Sequence, residues 1–152
     1  FVLRELMMMP SSLILSRQNL SYFNNPNISE ICLGGYFVEK RDEAKINLIA
    51  TGSEVATAIA AAEILMKEDI LCSVASVPCI EILKTNKDAY NKIFDNNKTN
   101  IVIECSHPMS WYEHTNNVIG ISSFGESGKG DVLLDHFGFS PDKVAQKVKE
   151  II

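Results

Sequence analysis

The residues best suited to chemistry stand together near the start of the chain, at Ser16-Arg17-Gln18-Asn19-Leu20, directly after the apolar run Leu13-Ile14-Leu15. Arg keeps its charge at every physiological pH and presents a planar fork of donors that matches a phosphate or a carboxylate. Gln and Asn add neutral donors and acceptors. Delivered together at the end of an apolar strand, these side chains suit a polar or phosphorylated ligand. The same residues also fit a strand followed by an ordinary polar loop, and the pattern alone leaves both readings open.

Other combinations carry less. Thr51-Gly52-Ser53 lies between a strand-like run and a helix-like run, and backbone N–H groups at a helix N-terminus can hold an anion. It has neither the Gly-x-Gly-x-x-Gly nor the P-loop pattern, and a plain strand-to-helix turn has the same composition. Gly125-Glu126-Ser127-Gly128-Lys129-Gly130 looks superficially like a phosphate loop, but Gly130 stands where a P-loop has Ser or Thr, and Glu126 repels phosphate. Glu104, Cys105 and His107 lie close at a strand end; a metal would need further ligands from elsewhere, and Pro108 points to an ordinary turn. His114 and His136 have no obvious partners. Trp111-Tyr112 reads as a packing cluster, and Asp131, Asp135 and Asp142 fit solvated positions near helix starts.

The elements that must position these residues follow from composition and periodicity. A length of 152 residues suits one compact domain plus a short attachment. The formal charge of −5 argues against nucleic acid or an anionic membrane as partner, since both need concentrated Lys and Arg. The four cysteines, Cys32, Cys72, Cys79 and Cys105, form no Cys-x-x-Cys pair and read as reduced thiols of a cytoplasmic protein. No run reaches the ~18 apolar residues that span a bilayer. Phe1 to Met9 carries Arg4 and Glu5 and lacks the features of a signal peptide. The start without Met, inside an apolar pattern, suggests a piece of a longer protein.

Leu13 to Ser16 reads as a strand, and Ser21 to Glu30, with Asn24-Asn25-Pro26-Asn27, as a polar linker. Residues 1–34 therefore read as the end of one domain plus a connection, expected to depend on an upstream domain for order. From Gly34 strands and helices alternate. Tyr36 to Val38 and Asn47 to Ala50 look like an antiparallel hairpin around the charged turn Lys40 to Glu43. Thr51 and Glu54 have capping-box spacing. The next helix should bury Val55, Ile59, Ala62 and Met66, with Ala58 and Leu65 beside them. Ile70–Val77, Asn100–Glu104 and Asn117–Ile121 read as further strands, and 80–95 as one or two short helices. Asp131–Phe137 reads as a helix stopped by Gly138. Ser140-Pro141 opens a last helix that should bury Val144, Val148 and Ile151. The expected fold is α/β: three layers, a mostly parallel twisted sheet with one antiparallel edge strand, and helices on both faces.

Residue order goes further than residue type. Leu-Ile-Leu-Ser-Arg-Gln-Asn-Leu at 13–20 resembles the segment that closes the pyrimidine-binding domain of transketolases. Gly35 to Val38, Leu48 to Val55, Val74 to Cys79, Ser110 to Tyr112, Phe124 to Gly128 and Phe137 to Ser140 resemble, in order, pieces of the transketolase C-terminal domain. The resemblance implies 1–34 as the tail of the pyrimidine-binding domain plus linker and 35–152 as the C-terminal domain. It implies transfer of a two-carbon ketol unit from a ketose phosphate to an aldose phosphate, in the pentose phosphate pathway, by a homodimer. Thiamine diphosphate with Mg2+ or Ca2+ would be held by domains outside this chain, leaving the fragment alone inactive. Arg17 is the one residue carried over as a substrate contact, clamping the sugar phosphate; no catalytic, cofactor-binding or metal-binding residue is carried over. Ser21 departs from the family, which usually has Pro there. Two alternatives stay open: the equivalent piece of another thiamine-diphosphate enzyme (1-deoxyxylulose-phosphate synthase or a 2-oxo acid dehydrogenase beta subunit), and a non-catalytic binding or dimerisation module.

Overall fold

The computed structural model describes residues 28–152, together with Ser12, Ile14, Leu15, Asn19 and Leu20. Arg17 and Gln18, and with them the arginine motif, lie outside the described residues. Ile14 and Leu15 are exposed and belong to no strand.

The domain is entered through a four-residue helix, α1 (Ile28–Ile31), in the last part of the stretch read as polar linker. Gly34 then turns the chain inward with φ +86, and a Cβ there would stand 2.5 Å from the Cys79 carbonyl oxygen. The Gly34 carbonyl accepts from the Cys79 N–H at 3.1 Å, which ties the entry point to the segment that follows Cys72–Ser76.

The sheet has five strands: β1 (Tyr36–Glu39), β2 (Ile46–Ala50), β3 (Cys72–Ser76), β4 (Thr99–Ile103) and β5 (Asn117–Ile119). Their order is β1-β3-β2-β4-β5. All neighbours are parallel except β1, which runs antiparallel to β3 at one edge. The antiparallel edge strand is as expected, but the hairpin is not. β1 pairs with β3, and β3 separates it from β2. The physical reason lies in burial. Every residue of β2 is buried, so it takes the centre with a parallel partner on each side, while the half-buried β1 can serve only as an edge. The supposed hairpin turn instead crosses the start of β3. There Ser73 Oγ accepts from the Arg41 N–H at 3.0 Å and donates to the Arg41 carbonyl at 3.1 Å. The Arg41 guanidinium donates to the Cys72 carbonyl and to Glu39.

Two apolar layers sandwich the sheet. On one face Ile46, Leu48 and Ala50 of β2 pack with Val74, Ile101 and Ile103 under α2 (Glu54–Met66) and α6 (Pro141–Ile151). On the other, Ile49, Ala75 and Val102 pack with Leu83, Ile93 and Phe94, which belong to α3 (Ile80–Thr85), α4 (Lys87–Ile93) and its cap. The period-2 alternation along β2 sends Asn47 to this second face. There its amide donates to the Ile93 carbonyl at 2.9 Å and to Asn100 Oδ1 at 3.2 Å. A short helix, α5 (Gly130–His136), ends at Gly138, whose φ of +83 turns the chain into α6.

α2 departs from expectation twice. Its buried face is Glu54, Val55, Ala58, Ala61, Ala62 and Leu65, while Met66 is 43% exposed. The helix is apolar almost all round, so periodicity cannot fix its rotation. The alanines set the face, because their small side chains let α2 approach the sheet and α6 closely. The capping box also fails to form. Ser53 is the N-cap in helical conformation without a side-chain cap, and Glu54 turns inward. Leu65→Ala is expected to cost about 2–5 kcal/mol of unfolding free energy, and Met66→Ala no more than about 0.5. Urea unfolding of both variants checks this face; equal losses would contradict it.

Candidate functional site

In an open α/β sheet the place for a ligand is outside the carboxyl ends of the strands, where successive connections leave in opposite directions. Here that point lies between β2 and β4, since the chain passes from β2 to β3 on one side and returns to β4 on the other. The segment after β2 brings Ser53 and Glu54 there, and the segment after β4 brings Glu104 and Cys105.

Glu54 is 7% exposed. Its Oε2 accepts from the Ser53 hydroxyl at 3.1 Å, and the Cys105 side chain also hydrogen-bonds to it. The carboxylate stands at the N-terminus of α2, where the helix dipole favours negative charge. Glu104 is half-buried. Burial, and then the charge of Glu54, push its carboxyl up to about 7. Burial acts first on Cys105 too, followed by the bond to Glu54 and the charges of Glu54 and Glu104; Lys147 opposes them only weakly. The Cys105 thiol is therefore held firmly protonated.

This arrangement stores protons and is poorly matched to phosphate. The anion reading of Thr51-Gly52-Ser53 is corrected by Glu54, whose own carboxylate occupies the helix end. The thiol lacks the lowered pKa of a nucleophile. His107 does not face the two acids as a ligand; its Nδ1 accepts from the Met109 N–H at 3.3 Å, capping the 3-10 turn Pro108–Trp111. Among the described residues no three His, Cys, Asp or Glu side chains are grouped to hold a metal ion.

His114, which seemed partnerless in sequence, has a full setting. Its Nδ1 lies 2.9 Å from the Tyr90 hydroxyl, and its ring contacts Tyr90, Phe94 and Trp111. Burial lowers its pKa against the raising effect of Glu113. The available signal was the i, i+4 spacing of Tyr90 and Phe94 and the i, i+3 spacing of Trp111 and His114. Trp111 is buried, as expected for packing, whereas Tyr112 is exposed. His136 lies 3.7 Å from Glu126 and against the Phe137 ring. Asp135 sits at the end of α5, bonded to Lys143 at 2.9 Å across the turn into α6.

Glu104 fixes a pH dependence. Its folded carboxyl titrates near 7 and its unfolded one near 4.5. The stability it contributes is present below pH 4.5 and is lost as pH rises through 7. Solvent access to this half-buried group limits the effect to about 1 kcal/mol. Glu104→Gln is expected to flatten the fall in melting temperature between pH 5 and 8. Identical slopes for the wild type and the variant would contradict the assignment.

Comparison with known proteins then places the fold. The profile of the family described as "Transketolase-like TK C-terminal domain" matches residues 34–140. The transketolase of Buchnera aphidicola is 36% identical over 147 residues, covering 91% of this chain and 22% of its own. The crystal structure of transketolase from Campylobacter jejuni superposes with a TM-score of 0.80 at 34% identity, over 88% of this chain and 21% of that one. A transketolase of Pichia stipitis in complex with sedoheptulose-7-phosphate superposes with a TM-score of 0.83 at 27% identity, over 88% of this chain and 20% of that one. The chain thus spans about a fifth of the length of the relatives it matches. With the parallel sheet, its antiparallel edge strand and its helices on both faces in agreement, the chain belongs to the transketolase-like C-terminal domain family.

Proposed function

We propose that this chain is the C-terminal part of a full-length transketolase, which transfers a two-carbon ketol unit from a ketose phosphate to an aldose phosphate. The match of 34–140 to the C-terminal domain family carries this reading, together with the fifth of its relatives' length that the chain spans. The relative bound to sedoheptulose-7-phosphate supports sugar phosphates as the substrate class. Residues 1–34 then serve as the tail of the pyrimidine-binding domain and the linker, and 35–152 as the C-terminal domain of a cytoplasmic homodimer in the pentose phosphate pathway.

The reaction would use thiamine diphosphate, which would supply the carbanion-stabilising chemistry, together with a divalent metal. The described residues do not fit them. The anion-friendly end of α2 is filled by Glu54, the glycine-rich loop carries Glu126, and no group of metal ligands is present among the described residues. The cofactor and metal are therefore assigned to parts of the enzyme beyond the described residues, and the fragment alone is expected to be inactive.

Arg17 is assigned the substrate-phosphate clamp. Its guanidinium would bind the terminal phosphate and orient the sugar without touching the reacting carbon. Charge-assisted bonds contribute ~1.5–3 kcal/mol each. In the full-length enzyme, Arg17→Ala is expected to raise KM for phosphorylated sugars roughly 10- to 100-fold, with a smaller change in kcat. Steady-state kinetics with a ketose phosphate donor test this; an unchanged KM would overturn the role of Arg17, and a full-length protein without ketol transfer would overturn the functional reading.

A further inference from the structure

A cavity of about 260 Å3 opens where the chain enters the domain, lined by residues of α1, β1 and α4. Its apolar lining comes from Leu33, Phe37 and Ile93, which pack into one and the same hydrophobic cluster. Its charged lining comes from two elements: Glu30 belongs to α1, Asp88 and Lys92 to α4. Asp88, Ala89, Lys92 and Ile93 share one face of α4, so the helix offers the cavity charged and apolar side chains together.

The walls are fixed within the domain itself. Asn86 holds the start of α4, its side chain accepting from the Ala89 N–H at 3.0 Å. Asn47 holds the end, its amide donating to the Ile93 carbonyl at 2.9 Å. The entry side is tied down by the bond from the Cys79 N–H to the Gly34 carbonyl. Gly35 lets the entry approach α4 closely: a Cβ there would stand 2.9 Å from Ile93 Cδ1. A site built in advance spares its ligand the cost of ordering the protein.

The charges are left open. Asp88 and Lys92 have the i, i+4 spacing at which an acid and a base meet on a helix. Among the described residues neither is ion-paired, and Glu30 is not either. Exposed charges by themselves need no partner. Here they border a preformed apolar hollow, and an apolar lining with a few convergent polar groups is the make-up of a small-molecule site.

We propose that this cavity binds a free α-amino acid with an apolar side chain. The ligand ammonium is matched by the carboxylates of Glu30 and Asp88, its carboxylate by the Lys92 ammonium, and its side chain by Leu33, Phe37 and Ile93. A simple amine would leave Lys92 unmatched. A simple carboxylate would meet two like charges, and those same carboxylates disfavour a sugar phosphate. The volume lies just below the ~300–1,000 Å3 of sites for drug-sized ligands, which suits a molecule the size of leucine. Binding here does not depend on ketol transfer.

The test is a titration of the full-length protein, followed by saturation-transfer difference NMR, with three probes that share one apolar body. They are L-leucine, isopentylamine (no carboxylate) and isocaproate (no ammonium). L-leucine is expected to saturate with a Kd on the order of 0.1–1 mM, and each of the other two to bind at least roughly tenfold more weakly. Asp88→Asn and Lys92→Gln, both at exposed positions, are each expected to weaken L-leucine roughly tenfold with an unchanged melting temperature. Absence of saturable L-leucine binding overturns the proposal. Isocaproate or isopentylamine binding as tightly as L-leucine overturns it too, and so does an unchanged L-leucine affinity in Asp88→Asn.

Discussion

The whole arrangement hangs on β2. All five of its residues are buried, and both of its edges are hydrogen-bonded to parallel strands. A strand covered on both faces and paired along both edges can sit only at the centre of a layered α/β sheet. Once it does, β3 and β4 must lie on either side of it and their connecting helices on opposite faces. The point where the connections diverge is then fixed at the carboxyl ends of β2 and β4. The meeting of Glu54, Glu104 and Cys105 is a consequence of that topology, since these residues follow the two strands directly.

Much of this is legible in residue order. The strands, the paired short helices of 80–95, the stop at Gly138 and the Ser140-Pro141 start all carry local signals that survive tertiary context. The partner of β1 does not. Pairing is a long-range choice, and a charged turn between two strand-like runs mimics a hairpin when a third strand, Cys72–Ser76, arrives later in the chain and takes the place between them. The rotation of α2 is equally hidden, because Val55, Ala58, Ile59, Ala62, Leu65 and Met66 leave no polar side to define a face. The inward turn of Glu54 is hidden too: a Glu three residues past Thr51 reads as a capping box, and only the fold shows that Cys105 and Glu104 arrive beside it. The role proposed for Arg17 rests on resemblance alone, since a strand ending in Arg-Gln-Asn is also an ordinary loop.

The chemistry of the switch point explains why this domain reads as a scaffold. A proton-holding carboxyl, a protonated thiol and the buried Glu54 carboxyl at the start of a helix neither bind phosphate nor attack a carbonyl. Cores such as Leu48, Val74, Ile101 and Val148 are spent on rigidity. On the proposed reading, what the domain offers the enzyme is a stable body at the end of the segment that carries Arg17.

The most direct test of this account is the mass of the native polypeptide that carries the domain, read by an antibody raised against it. The account predicts a species several times larger than the 16.9 kDa of this chain. A native species of only 16.9 kDa, with no associated chain supplying the cofactor domains, would contradict it.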